Sequence, residues 1–368
     1  MIRATDHVRK GSRVVHVVPA LFGEDDETVG GAERYALELA RHMANVAPTR
    51  LVAFGKRDRR MTIDNLQVRV IGGAWHVRGN RFNPFSMKLL GELARGDVVH
   101  CHQRCVVASS VSAIFGMLTR KPVFVSDLGG GGWDVSTYLS TDRWYEGHLH
   151  ISQYSRELHR QDQFDRAHVI WGGVDELRFS PPEAEDRDGS VVFVGRLLPH
   201  KGIDYLVEAM PDDVPLKVIG RPRDPEYLKR LHALASGKRV TFLHDAKDDA
   251  IVDAYRRAMC VVLPSVYRTC YGHEGTAPEL LGQTLLEGMA CGAPAICTRV
   301  ASMPEVLEDG VSGFVVEPND PAALRERIVW LREHPEAASE MGRHARARVM
   351  ERFTWPRVVE RCLEIYSR

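Results

Sequence analysis

The sequence has no long apolar run. Nothing in it approaches the roughly 18 to 20 apolar residues that span a bilayer, and Met1–Lys10 lacks the apolar segment of a secretory signal. It has no charge excess, since 49 Lys and Arg balance 49 Asp and Glu, which argues against a nucleic-acid binder and a disordered acidic or basic tail. It also has no paired cysteine motif. The seven cysteines include no C-x-x-C, and the nearest pair, Cys101 and Cys105, has no second pair at zinc-finger spacing. Free thiols in a reducing cytosol follow. The chain therefore reads as cytoplasmic, without a transmembrane segment, leaving peripheral membrane contact open and the oligomeric state unread.

What is present is length for two cores: 368 residues point to two domains. Up to Asp175 there are 23 Lys and Arg against 19 Asp and Glu, and beyond it 26 against 30. This mild asymmetry fits a first half that meets an anionic surface or substrate, and solvated surface charge accounts for it equally well.

Arg13–Pro19 is a β-branched run that predicts a buried parallel strand. Gly30-Gly31-Ala32-Glu33 follows, then Tyr35, Leu39 and Met43 at helical spacing. Adjacent glycines at a helix start let a ligand approach the backbone, or serve only to make the turn. Strand-like Arg50–Phe54, Val68–Ile71, Val98–His100, Val123–Ser126 and Val169–Gly173, alternating with helical or polar segments, predict an α/β domain with a doubly wound parallel sheet. Gly72–Phe85 reads as a loop carrying Trp75, Phe82 and Phe85 with Arg78 and Arg81, groups suited to the sugars and phosphates of an acceptor and equally compatible with an ordinary surface loop. Val123–Ser126 leads into Asp127 and four glycines, Gly129 and Gly130 among them, before Trp133. The dinucleotide pattern G-x-G-x-x-G fails there at Asp134, so the stretch reads as a mobile loop over a cleft with Asp127 at a strand's carboxyl end, or as a flexible surface turn. Pro181–Gly189, polar and aperiodic, is the expected linker; its Asp186-Arg187-Asp188 matches a metal-holding D-x-D superficially, and a linker would hold no ion, so it reads as a solvated charge run.

The second domain opens with strand Val191–Val194 and the loop Gly195-Arg196-Leu197-Leu198-Pro199-His200-Lys201-Gly202. Arg196 and Lys201 are then aimed at the sheet's carboxyl edge, a planar fork and a point charge suited to two phosphates. Further strands follow at Leu216–Gly220, Val240–Leu243 and Cys260–Leu263, with Arg221, His244 and Asp245 at strand ends as candidates to border a base pocket. In Ala277–Pro294, Gly282 allows a turn before a helix over Gln283–Cys291, which Gly292 and Pro294 stop. Its first amides, on Gln283, Thr284 and Leu285, would offer a site for a diphosphate. Glu279 and Glu287, eight residues apart, span about 12 Å if helical throughout, about the distance from sugar to ribose in a nucleotide diphosphate-sugar. Because a carboxylate repels a diphosphate, each glutamate suits a hydroxyl-bearing ring: Glu287 the ribose, Glu279 the donor sugar. The plain alternative is an amphipathic helix with solvated glutamates and a core face of Leu285, Leu286 and Met289.

These residues resemble those of the retaining glycosyltransferases of family 4, within the glycosyl transferases of group 1. The resemblance is carried by G-G-A-E at Gly30–Glu33, V-G-R-L-L-P-H-K-G at Val194–Gly202, E-L-L-G-Q-T-L-L-E-G-M-A-C-G-A-P at Glu279–Pro294 and M-P-E-V-L-E-D-G-V-S-G-F-V-V at Met303–Val316. It implies the GT-B architecture, two facing Rossmann-like domains with an interdomain cleft: residues 1–180 for the acceptor, 181–354 for the nucleotide-sugar, and a last helix over 355–368 returning to the first. It also implies that Arg196 and Lys201 bind the donor diphosphate, Glu287 the ribose and Glu279 the sugar hydroxyls, with Gly31 close to the phosphates or acceptor. Members often carry a histidine where Asp127 stands, so Asp127 or His102 is expected to make the catalytic contact on the N-terminal side.

The expected activity is transfer of a hexose-type sugar from a UDP- or GDP-sugar to a hydroxyl on a glycan, lipid-linked sugar or small glycoside, with retention and without a cofactor or metal. Catalysis is assigned to Glu279, Asp127, Arg196 and Lys201, and donor binding also to Gly30, Gly31, Gly282, Gln283, Thr284, Leu285, Glu287 and His244. Acceptor binding is assigned to His102, Trp75, Arg78, Gly129, Gly130 and Trp133. The rivals are a sugar-nucleotide epimerase or a phosphorylase on the same fold, and a non-catalytic sugar-nucleotide sensor.

Overall fold

Short apolar runs alternating with amphipathic helices build two mainly parallel sheets in the computed structural model, which describes residues 11–20, 30–80, 82–129, 132–183, 187–275 and 279–368. The chain divides into unit 1, Met1–Gly173 with Trp355–Arg368, and unit 2, Val174–Thr354. The division thus falls at Gly173/Val174, ahead of the expected boundary at 180/181. The reason is local: Val174 N–H donates to Phe353 O (2.8 Å), and Arg256 holds Ser180 O (2.9 Å) and Arg178 O (3.3 Å).

Unit 1 begins with β1 (Val14–Val17), all of it buried. In α1 (Gly31–Met43), Tyr35, Ala36, Leu39, Ala40 and Met43 face inward at helical spacing. Then come β2 (Thr49–Gly55), β3 (Arg59–Ile63), β4 (Leu66–Gly72), and the short pair β5 (Trp75–His76) and β6 (Pro84–Phe85). The sequence continues through α2 (Lys88–Leu93), β7 (Val98–Cys101), α3 (Val107–Thr119), β8 (Val123–Ser126), β9 (Gly147–His150), α4 (Gln153–Leu158) and β10 (Ala167–Val169). Among the described residues the main sheet runs β10-β9-β8-β7-β1-β2-β4-β3, parallel except where β3 turns back on β4. The strand β3 was not expected, because its sequence R-R-M-T-I leaves Arg60 and Thr62 exposed and forms no apolar run. The expected loop over Gly72–Phe85 contains instead an antiparallel pair that aligns Trp75 with Phe85.

Unit 2 contains β11 (Ser190–Val194), α5 (Ile203–Ala209), β12 (Leu216–Ile219), α6 (Pro225–Leu234), β13 (Val240–Leu243), α7 (Asp248–Arg257) and β14 (Ala258–Leu263). It continues with α8 (Gln283–Ala290), β15 (Ala295–Thr298), α9 (Met303–Val306), β16 (Gly313–Val316), α10 (Pro321–Glu333) and α11 (Pro335–Arg352). Its sheet, in the order β13-β12-β11-β14-β15-β16, is parallel throughout. The expected linker is partly structural. Arg187 donates to Ala258 O and Gly292 O, each at 2.6 Å, and Asp188 pairs with Lys217; Asp186 lies outside the described residues. The chain then returns to unit 1 as α12 (Trp355–Tyr366). Among the described residues no helix is long and apolar enough to cross a membrane.

In unit 1, His148 and His150 lie on β9, almost fully buried. Burial, foremost, lowers their pKa values, to about 4 for His148, which Asp142 opposes, and to about 3 for His150, which its bond with Gln161 opposes. Both bind protons more readily unfolded, near pH 6.5. Their contribution is therefore complete above that pH and is lost as pH falls toward 4 and 3. Each removes about 1.4 kcal/mol of stability per pH unit in that window. Denaturant midpoints measured from pH 8 to pH 5 should hold steady down to about pH 7 and then drop; a level profile to pH 5 contradicts this account.

Candidate active site

In unit 2 the strand order reverses between β11 and β14, and the loops leaving these two strands meet. After β11 the chain passes Arg196 and makes a 3-10 turn over Pro199–Lys201. It closes at Gly202, where φ is 65° and a Cβ would stand 2.0 Å from Pro264 O. Only glycine permits that approach. Val266 N–H then donates to His200 O (2.9 Å), pinning the first loop to the chain that leaves β14. The Lys201 ammonium is thereby set on the Glu279 carboxylate, which also accepts from Ser265 Oγ (3.1 Å), while Ser302 Oγ donates to Glu279 O (3.3 Å). Lys201 was expected to stand open to a phosphate; it is found neutralising Glu279, with both side chains only 12% exposed. Two opposite charges with little water around them attract strongly, so each is the other's partner.

Helix α8 starts beside this pair. Gly282 precedes it in the left-handed region, at φ 78° and ψ 45°. Leu285 N–H already donates to Gly282 O (3.0 Å), so of the three amides expected to meet an anion this one is engaged within the turn. Glu287 is one turn in, accepting from Tyr255 OH (3.2 Å) and, at 3.5 Å, from Gln283 Nε2. It is therefore a held carboxylate and not a solvated one, which removes the plain amphipathic reading for this position. Burial, chiefly, and then Glu287 push the Tyr255 hydroxyl far above its usual range, so it stays a donor. Arg196 is exposed, with no hydrogen bond or ion pair among the described residues. His244, one residue beyond β13, is fixed by its ring nitrogen Nδ1 on Gly220 O (3.1 Å), just past the end of β12. Arg221 and Asp245 stand 3.9 Å apart at the same edge, both exposed. Ala277 and Pro278 lie outside the described residues.

In unit 1 Asp127 follows β8, accepts from Gly129 N–H (3.0 Å) and faces His159 Nε2 at 3.5 Å. A histidine does stand beside Asp127 at this edge, but it comes from the end of α4, where nothing in the local pattern marked it. Trp133 lies under the Arg78 guanidinium, 3.9 Å from its ring centre, and Asn83 Nδ2 donates to Trp133 O (2.6 Å); these two acceptor candidates do come together. Trp75 is exposed, and Gly130 lies outside the described residues. Gly30 caps α1 in an extended conformation without a side-chain bond, a Cβ there would stand 2.9 Å from Glu33 Oε2, and a Cβ on Gly31 would meet nothing within 4 Å among the described residues.

His102 belongs to a buried cluster with His16 and His100, one ring nitrogen of each lying within 4.8 Å of the others. Three neutral imidazoles are a donor set that suits a divalent metal. Two facts speak for a hydrogen-bonded cluster instead. His100 has both nitrogens engaged, with Ser126 Oγ (2.8 Å) and Tyr366 OH (2.7 Å). His16 Nδ1 and His102 Nε2 are 2.8 Å apart, closer than the roughly 3.3 Å between two nitrogens on one tetrahedral zinc.

Residues 174–348 match the family described as glycosyl transferases group 1. Among curated relatives, the D-inositol 3-phosphate glycosyltransferase of Acidothermus cellulolyticus is 32% identical over 253 residues, 62% of this chain and 52% of that protein. The alpha-maltose-1-phosphate synthase of Mycolicibacterium smegmatis is 31% identical over 235 residues, 55% and 57%. The chain thus spans about half the length of these relatives. Among solved structures, HepE of Anabaena in complex with UDP has a TM-score of 0.74 at 20% identity, covering 96% of this chain and 98% of that one. The fold is GT-B.

Two substitutions probe the unit 2 site. Glu279→Gln frees the Lys201 ammonium, and calorimetry should show free UDP or GDP binding about threefold to tenfold more tightly, up to about 1.4 kcal/mol; weaker binding would mean that Lys201 does not face the anion. Gly282→Ala forces a Cβ into the left-handed region and should cost about 1 to 2 kcal/mol in denaturant unfolding, and a neutral effect would contradict the cap geometry.

Proposed function

We propose that this GT-B chain is a retaining glycosyltransferase that moves a hexose-type sugar from a nucleotide diphosphate-sugar to a hydroxyl acceptor without a metal ion. The observation that carries the reading is the Lys201–Glu279 ion pair set beside the α8 N-terminus at the strand-order reversal of unit 2. A diphosphate arriving there competes for Lys201, with Arg196 exposed nearby in sequence to add a second cation. The released Glu279 carboxylate is then available to the hydroxyls of the donor sugar, and Glu287, steadied by Tyr255, to those of the ribose. The group 1 match over unit 2 and the named glycosyltransferase relatives support this assignment. HepE was solved with UDP, which makes uridine nucleotides the first donors to test.

In the proposed reaction the anomeric carbon's bond to the phosphate oxygen breaks, and its bond to the acceptor oxygen forms on the same face. The acceptor's proton passes to an oxygen of the departing phosphate. Lys201, Arg196 and the α8 amides oppose the charge that develops on the leaving group, the kind of fixed electrostatic help worth about 3 to 4 kcal/mol per donor in well-studied sites. Two cations and a helix terminus stand in for the metal that other transferases use.

A thermal-shift screen against UDP, GDP, ADP and TDP and their sugar conjugates, with Lys201→Ala as control, tests the donor site. One base should raise the melting temperature in the native chain and not in the variant. Among the glutamates, Glu287→Ala should mainly weaken donor binding and Glu279→Ala mainly slow transfer; equal, small losses would refute their placement. Activity lost on chelation and restored by magnesium or manganese would refute the metal-independent reaction.

A further inference from the structure

Unit 1 has an open cavity of about 350 Å³ along its edge strand β10. His168 of β10 forms one wall, Gln153 and Arg156 of α4 another, and Arg361, Glu364 and Arg368 at the end of α12 a third. All of these residues belong to unit 1. The strand order of this sheet reverses between β1 and β7, and β10 lies three strand spacings beyond β7, about 14 Å at about 4.8 Å each. The cavity is therefore separate from the sheet edge where Asp127 and the histidine cluster stand.

Its charge is lopsided. Arg156, Arg361 and Arg368 carry guanidinium groups that do not lose their protons, and Glu364 supplies the one carboxylate among the lining residues. Two positive charges are left over. The hydrogen bonds that hold the arginines do not answer that charge, since Arg156 Nη2 donates to Asp162 O (3.2 Å) and Arg361 Nη1 to Ile170 O (3.3 Å), both neutral carbonyls. Arg156 Nε is buried with no hydrogen-bond partner among the described residues, and a buried donor left so calls for an explanation. Arg368 is exposed and makes no ion pair among the described residues. The His168 ring feels the excess: burial, foremost, and then Arg368 and Arg156 lower its pKa, against Asp165. Like charges gathered in one concavity repel each other and concentrate anions there.

We propose that this cavity is a binding site for a phosphate monoester group, held by Arg156, Arg361 and Arg368. Such a group carries close to two negative charges near pH 7 and three oxygens that accept from guanidinium forks, which answers the two charges left over. A carboxylate brings one charge and answers half of them. The bound group ties α4 to the end of α12, the helix whose Tyr366 bonds His100. A soluble phosphate and a lipid headgroup offer the same oxygens, and the probes below tell them apart.

Imidazole NMR of His168 in the full chain tests this, with inorganic phosphate, glucose 6-phosphate and vesicles of phosphatidic acid in phosphatidylcholine as probes, and sodium chloride at equal ionic strength as control. At least one probe should shift the His168 signal saturably and raise its pKa, because an anion in the cavity favours the charged ring. Arg156→Gln and the exposed Arg368→Gln should each weaken that probe about tenfold, and Glu364→Gln, which removes the competing carboxylate, should tighten it about threefold. A response to the soluble probes identifies a free phosphate as the ligand, and a response to the vesicles alone a lipid headgroup. His168 silent to all three at millimolar phosphate, a shift that sodium chloride reproduces, or Arg368→Gln binding as the native chain does, overturns the inference.

Discussion

The bond between Lys201 and Glu279 joins two loops 78 residues apart in sequence, and the geometry of unit 2's carboxyl edge depends on it. It exists because Gly202 lets the first loop press against Pro264 O and because Gly282 turns the chain into α8 beside it. Each charge satisfies the other with little solvent present, so neither is left buried and unpaired, which would be far costlier than an exposed ion pair is worth. An arrangement of this kind is stable without a ligand and responsive to one. In the proposed transfer, a diphosphate at Lys201 would exchange one anionic partner for another and would not have to strip a hydrated ammonium.

Both units use the same rule at different places. Parallel strands leave their carboxyl ends facing one edge, and ligands of such sheets find room there where the strand order reverses. In unit 2 that room is bordered by charge, in unit 1 by neutral histidines. The contrast is physical: the dry, strand-bound position of His16 and His100 disfavours a charged ring, while Lys201, on a loop, is set against Glu279.

Much of the sheet framework was legible in the sequence because parallel strands buried on both faces tend to be apolar runs, and Val14–Val17, Val123–Ser126, Ser190–Val194 and Leu216–Ile219 fall on such runs. The strand β3 was not, because an edge strand with alternate residues in water carries no such run. At the candidate site, spacing and residue type singled out Lys201, Glu279 and Glu287, and the structure sets Lys201 on Glu279 beside the start of the helix that carries Glu287. What spacing cannot show is which charge answers which, and so the mutual neutralisation of Lys201 and Glu279 was missed. His159 was missed for a related reason: its partnership with Asp127 joins residues that are distant in sequence, and a histidine at a helix end carries no pattern of its own. The Asp186-Arg187-Asp188 run shows the converse, since a sequence that looks solvated supplies Arg187 to two buried carbonyls.

The helix α12 brings Trp355, Val358, Val359, Cys362 and Tyr366 into the interior of unit 1, each worth roughly 1.5 to 3 kcal/mol where a large apolar side chain is fully covered. Trp355 packs on Tyr35, and Tyr366 OH meets His100. During synthesis those residues emerge only after all of unit 2. The order of assembly on the ribosome is therefore inverted relative to the order of the sequence: Val174–Thr354 has its whole core in hand while Met1–Gly173, made first, still waits for its closing helix. Vectorial folding, which ordinarily favours the N-terminal domain, here leaves that domain the longer exposed and the more dependent on protection until translation has passed Tyr366.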